Sequence, residues 1–228
     1  MTVLLTLTDV SMQYHREADS KYAVFGGINL TVGAGECIAL VGRNGSGKST
    51  LLRIMAKIFA PTSGSVSWAP GVAVSLLTLG LGFRPDLSGR DNAFLSCMLL
   101  GLSREEATES LSYIEKFCDL GVFFDEPVRA YSAGMRARLG FGTALMNRSQ
   151  VILIDETLSV GDKLFRQKAR KALEQELAGD RSVVLVSHVE QQIQRLCQRA
   201  VLLQDGVIAA EGSPDDVLSE YSASTKMP

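Results

Sequence analysis

Residues 42 to 50 read GRNGSGKST, a run in which glycines, a lysine and hydroxyls follow the spacing G-x-x-x-x-G-K-[ST]. Such a spacing suits one task. Glycines let the backbone wrap closely around a phosphate, successive N–H groups point inward, and a helix starting at the end of the loop adds positive potential. Lys48 is placed for the β- and γ-phosphates of a nucleotide and Ser49 for Mg²⁺, with Gly42, Arg43, Asn44, Gly45, Ser46, Gly47 and Thr50 completing the loop. The flanks agree with this reading. ECIALVG, just before, is a nearly continuous apolar run, as a buried parallel strand should be. Residues 48–59 read as a helix, because Leu51, Leu52, Met55 and Ile58 recur at three and four.

A nucleotide site of this kind also needs a carboxylate to hold the metal, and VILIDE (residues 151–156) supplies one. Four apolar residues bury the strand and Asp155 emerges at its C-terminal end, where open α/β sheets place ligands. Asp155 is expected to hold Mg²⁺ through water. Glu156, one residue further on, suits polarising an attacking water. A third stretch, YSAGMRARLG (131–140), has no histidine, carboxylate or cysteine and does no chemistry by itself. Ser132 and the backbone of Ala133 and Gly134 sit at a predicted helix N-terminus and so form an anion site. Taken in isolation the stretch reads as an ordinary capped helix.

The elements that must position these loops follow from the surrounding pattern. Residues 3–32 are strand-like. Between about 86 and 146 strand signals vanish, and Ala107, Leu111, Ile114 and Cys118 form one face of an amphipathic helix. The strand pattern returns with VILID, a helix to about Leu177, SVVLVSH and another helix. RAVLLQDGVIAAEG then alternates around Asp205-Gly206, a dipeptide favoured in type I′ hairpin turns. Ser213, Pro214, Asp215 and Asp216 supply the N-cap, N1 proline and first-turn acids of a closing helix. The expected fold class is α/β: a P-loop NTPase core, its mostly parallel sheet flanked by helices, with an antiparallel β part and an inserted α-helical lobe. The core is expected over 1–85 and 147–222, the helical lobe over 86–146, and a loose tail over 223–228.

With 228 residues, 46% of them hydrophobic, the chain can bury a substantial core. A net charge of −2 gives no global attraction to nucleic acid or to an anionic membrane. MTVLLTLTDV lacks a basic leader and reads as a strand, not a signal peptide. The longest apolar stretch, residues 71–83, is too short and interrupted for a span of about 20 residues, so a cytoplasmic location is expected. The four cysteines, Cys37, Cys97, Cys118 and Cys197, show neither zinc nor disulfide spacing and read as buried thiols in a reducing compartment.

In chain order, Tyr14, GRNGSGKST, YSAGM, VILIDE with Asp162 after it, and VLVSH ending in His188 together resemble the nucleotide-binding subunits of ATP-binding cassette transporters over nearly the whole chain. The resemblance implies an ABC-type core, with ATP and Mg²⁺ as cofactors. It implies that Tyr14 stacks on adenine, that His188 contacts the γ-phosphate region and orients the attacking water, and that Asp162 lines a dimer contact. It also gives the capped-helix stretch a purpose: YSAGM covers the γ-phosphate bound to a second copy, in a head-to-tail homodimer with two ATP between the chains. Ala133 and Met135 stand where the family more usually has glycine and glutamine. The glutamine usual between core and helical lobe is missing, and Thr78 or Leu79 falls near its place.

Within the family, GLGFRPDLSGRDN, YSAGMRARLGFG and DETLSVGD are similar to the branch exporting capsule, O-antigen and teichoic acid chains. Because the chain stops soon after its closing helix, a capsule-type exporter fits best. The implied partners are two copies of a membrane-spanning permease, with the polysaccharide met only indirectly and no nucleic acid. The implied location is peripheral, on the cytoplasmic face of the inner membrane. AFLSCMLLG (93–101) either contributes to a groove for a permease helix or is buried helix core. Repair-type or ribosome-type soluble cassette ATPases would need a coiled-coil insertion or a second cassette, and neither is present. A regulatory or assembly ATPase is a third reading, which co-purification with a membrane protein would separate.

Overall fold

The apolar runs of the sequence become two sheets in the computed structural model, which describes residues 2–15, 21–77, 82–155, 162–177, 179, 181–187 and 189–226. The elements in order are β1 (Val3–His15), β2 (Lys21–Gly33), β3 (Cys37–Val41), α1 (Lys48–Met55), β4 (Ser63–Trp68), β5 (Val74–Leu77), α2 (Gly89–Leu99), α3 (Arg104–Cys118), α4 (Ala133–Ala144), β6 (Val151–Asp155), α5 (Lys163–Leu177), β7 (Ser182–Val186), α6 (Glu190–Leu196), β8 (Arg199–Gln204), β9 (Val207–Gly212) and α7 (Pro214–Lys226). Two 3-10 turns, Gly121–Asp125 and Val128–Ala130, precede α4. The chain divides into two units. One holds residues 1–76, 149–156 and 177–228, and the other 77–148 and 157–176.

In the first unit a three-stranded antiparallel sheet runs β2-β1-β4, and a six-stranded sheet runs β5-β6-β7-β3-β8-β9. β3 pairs in parallel with β7 and β8, β6 pairs in parallel with β7, and β9 is antiparallel to β8. Every residue of β3 and β7 is buried, as a strand covered on both faces must be. Leu5, Leu7 and Ile28 join Ile38, Leu40, Leu51, Leu52, Ile54, Leu153 and Val184 in one core. Each such side chain contributes about 1.5–3 kcal/mol on burial, so the residues that place the phosphate loop also hold the unit together.

Helix α1 ends a turn before the sequence suggests. Its last residue is Met55, Lys57 adopts a left-handed conformation (φ 61), and the amides of Ile58 and Phe59 both donate to Arg53 O. Ile58, expected on the buried stripe, is 56% exposed. At the other end of the chain α7 continues to Lys226, through residues expected to be a loose tail. No glycine or proline interrupts it before Pro228. Asp205 and Gly206 both have positive φ (51 and 79), as the type I′ turn expected there requires.

The second unit is helical. Ala107, Ile114 and Cys118 are fully buried on α3, with Leu111 packed at the edge of the same cluster. A capping box between Ser103 and Glu106 starts that helix. Residues 162–176, which the sequence pattern groups with the sheet core, cluster here instead. The reason is aromatic packing: Phe165 of α5 meets Phe117 of α3 and Phe141 of α4 edge-on, at 5.8 and 6.1 Å between ring centroids. Lys168 adds a hydrogen bond to Phe117 O at 2.7 Å, supplying a donor to the end of α3. All four cysteines are free and buried. Among the described residues no helix is long and apolar enough to cross a membrane.

Candidate functional site

The phosphate loop leaves β3 at Val41 and enters α1 at Lys48. Gly42 takes φ 152, and a side chain there would run into Leu203 O and Ser46 Oγ. Gly47, the N-cap, is left-handed (φ 101), and no side chain caps the helix. The first-turn amides of a helix have no intrahelical acceptor, so this end presents donors outward. A Cβ at Gly47 would stand 2.8 Å from both Phe25 and Val24, so the loop lies close against β2. Lys48 is buried, 7% exposed, and its Nζ folds back to donate to Gly42 O at 2.7 Å and Arg43 O at 2.9 Å. That arrangement keeps the ammonium inside the curve of the loop. Ser46 Oγ is buried with no hydrogen-bond partner among the described residues. A buried polar atom left unpaired is costly, and a phosphate oxygen seated in the loop is the kind of partner it lacks.

Asp155 closes β6, paired in register with Val186 of β7, and is half-buried at the strand's C-terminal end. α1 packs against β6, and Ser49 in its first turn is half-buried. Among the described residues there is no cluster of three or more histidine, cysteine or acidic side chains that could cage a metal. One hydroxyl and one carboxylate suit Mg²⁺, which keeps waters and takes its remaining ligands from phosphates. Glu156, His188, Thr78 and Leu79 lie outside the described residues.

Tyr14 is 38% exposed, and its hydroxyl lies 3.4 Å from Thr50 Oγ1, which sets the ring beside the start of α1. Directly across the β1–β2 ladder from Tyr14 is Tyr22, 44% exposed. Tyr22 opens the wall of a cavity of about 630 Å³ that is lined by residues 22–26 of β2, 43–46 of the phosphate loop and 203–207 of the β8–β9 hairpin. Tyr14 does not line it. The sequence reading picks only Tyr14. The signal for Tyr22 is strand pairing: cross-strand residues share a face of the sheet.

The YSAGM stretch is built differently. Tyr131 is buried, 4% exposed, and its hydroxyl donates to Phe123 O at 2.6 Å. Burial pushes this phenol up to about 12, so it stays a donor at any working pH. Ser132, extended at φ −64 and ψ 164, caps α4 by accepting from the Met135 amide at 3.1 Å. Arg136 donates to Tyr131 O at 2.7 Å. Ser132 and Ala133 are exposed and Gly134 half-exposed, beside a cavity of about 540 Å³ lined by Ser132, Gly134, Met135, Arg138, Asp119, Leu120, Phe123 and Asp162. Asp162 N-caps the start of α5, accepting from Phe165 N at 2.9 Å, and forms an ion pair with Arg138. The Phe165 amide, and after it Arg138, hold the Asp162 carboxyl below the usual carboxylate range. The sequence reading passes over Arg138, which stands one helical turn beyond Gly134.

The ABC transporter family model matches residues 25–159. The O-antigen export system ATP-binding protein RfbB of Klebsiella pneumoniae is 40% identical over 201 residues, 88% of this chain and 81% of that protein. The teichoic acids export ATP-binding protein TagH of Shouchella clausii is 35% identical over 206 residues, 90% of this chain and 57% of its own length. Among solved structures, an ATP-binding cassette dimer in a post-hydrolysis state bound to ADP and Pi aligns with a TM-score of 0.77 at 22% identity, covering 92% of this chain and 99% of the other. An ATP binding subunit of an ABC transporter aligns with a TM-score of 0.80 at 23% identity, covering 96% and 93%. The chain has the ABC ATPase fold and belongs to the ABC transporter family.

Proposed function

We propose that the chain is the ATP-hydrolysing, nucleotide-binding subunit of an exporter of cell-surface polysaccharide, bound peripherally at the cytoplasmic face of the inner membrane. The observation that carries this reading is its 35–40% identity to proteins named for O-antigen and teichoic acid export. Capsular polysaccharide is the cargo to test first, against those two.

The chemistry is assigned to residues as follows. The loop from Gly42 to Thr50 grips the triphosphate, with Lys48 on the β- and γ-phosphates. Ser49 and Asp155 hold Mg²⁺, which when bound neutralises phosphate charge. Glu156 polarises the attacking water, and His188 orients it. Tyr14 stacks on the base. Ser132 with the backbone of Ala133 and Gly134 closes over the nucleotide of a second copy, and Asp162 lines the contact between the two. Closure drives a pair of permease subunits, and no nucleic acid is involved. The permease contact is assigned to α2. Ala93 and Cys97 are fully buried, but Leu95, Met98 and Leu99 are 42, 39 and 81% exposed, a stripe at helical spacing that suits an apolar partner helix.

Three experiments test this reading. Chains carrying Ser132→Ala mixed with chains carrying Lys48→Ala should regain at most one working site per dimer, and full recovery of turnover contradicts a shared site. Glu156→Gln should cut hydrolysis by about 10² to 10⁴ while sparing ATP binding. Purification from membranes, with identification of the associated polytopic protein and glycan, tests the transport assignment.

A further inference from the structure

Cys37 opens β3, the strand that ends in the phosphate loop, and Cys197 follows the last residue of α6. Their sulfurs lie 3.3 Å apart, although 160 positions separate them in the chain. The backbones around them are fixed to each other. Gln198 N donates to Cys37 O at 3.0 Å, Cys37 N donates to the Gln198 side chain at 2.8 Å, and Ile38 is in register with Arg199. A disulfide of about 2.05 Å therefore asks for only a short approach of two sulfurs whose backbones are already anchored to each other.

The other two cysteines lack this arrangement. Cys97 and Cys118 are 0% exposed, Cys118 donates to Arg138 O, and burial raises the two thiols to about 11 and 12. Cys37 and Cys197 keep 5 and 7% exposure, so a small local opening is enough to admit an oxidant. α6 is also a seven-residue helix with no side-chain cap at its start, and short elements of this kind open locally at low cost. At rest the Cys37 contact, and burial after it, push the Cys197 thiol far above the ordinary range. Reaction therefore waits on such an opening.

We propose that Cys37 and Cys197 are a modification site for peroxide, which joins them in a reversible disulfide that clamps the end of α6 to the strand feeding the phosphate loop. One sulfur attacks a peroxide oxygen, the O–O bond breaks, and a sulfenic acid and water form. The second sulfur then attacks the sulfenic sulfur, the S–O bond breaks, and hydroxide leaves with the remaining thiol proton as water. Two thiols are oxidised and one peroxide is reduced.

The test is to treat the full chain with hydrogen peroxide, alkylate it under denaturing conditions, and map its peptides without reductant. The expected result is a mass loss of two hydrogens, a single cross-linked peptide pair containing Cys37 and Cys197, and its reversal by a thiol reductant. The thermal midpoint should rise by about 10–20 °C, the shift expected when a cross-link closes so long a loop. Cys37→Ala and Cys197→Ala should each abolish the cross-link, and Cys97→Ala should keep it. The wild-type map decides the question even where a variant fails to fold. Free Cys37 and Cys197 under conditions that oxidise the methionines would overturn the proposal. So would oxygen adducts without a cross-link, or a bond through Cys97 or Cys118.

Discussion

The phosphate loop and the YSAGM loop are both turns that run into a helix N-terminus, but they end in opposite ways. α1 begins at a left-handed glycine with no side-chain cap, a lysine folded into the loop and a buried hydroxyl without a partner among the described residues. α4 begins at a serine that already satisfies the Met135 amide, on a loop pinned by the Tyr131 hydroxyl. The first leaves its donors open to an outside anion. The second is complete as a piece of protein and offers only what remains at its exposed rim. A site that binds by itself and a site that completes another would differ in this way.

Lys48→Ala attacks the self-sufficient side of the comparison and should have the largest effect. It removes charge-assisted contacts worth about 1.5–3 kcal/mol each, so nucleotide affinity should fall at least about 10²-fold in a direct titration; unchanged affinity ends the phosphate-loop assignment. Gly47→Ala should come next, costing about 1–3 kcal/mol in chemical denaturation for a left-handed non-glycine residue, before Phe25 and Val24 shift. On the other loop Ser132→Ala should cost about 1 kcal/mol of stability for a lost cap, seen as a fall of about 2–4 °C in thermal midpoint. Gly134→Ala sharpens the contrast most. Its added Cβ meets nothing closer than Ser132 Oγ at 3.8 Å, so stability should change by less than about 1 kcal/mol, on the stabilising side. A fall in turnover at intact stability then locates the need for glycine in what approaches from outside. A large loss of stability instead would erase the distinction between the two loops.

What the sequence made legible was local. The phosphate loop, the Asp205-Gly206 turn and the Ser213 cap are each encoded within a few residues by backbone conformations that few side chains tolerate. Asp155 was legible because four buried residues in a row leave the next one at a strand end. What escaped depends on partners far along the chain. β4, SGSVSW, carries one strong strand former at its centre and exists because β1 offers it a ladder from Leu5 to Ser11. Tyr22 sits opposite Tyr14 only after a series of bulges in the β1–β2 register, which no alternation pattern predicts. The Arg138–Asp162 pair and the docking of α5 through Phe165 follow from helix packing in three dimensions, and periodicity on one helix does not say which neighbour it meets.

Hairpin tips usually tolerate inserted sequence. The β8–β9 tip should not. Gly26 N donates to Gly206 O at 2.8 Å, and a Cβ at Gly206 would lie 3.3 Å from Phe25 Cα, so this turn fastens the smaller sheet to the larger one beside the phosphate loop. An epitope or fluorescent probe spliced between Asp205 and Gly206 would pry apart the two layers that frame the cavity beside the phosphate loop. The same label placed in the 3-10 turn at the outward-facing Val122, 82% exposed, would ride on the helical unit and leave that seam shut.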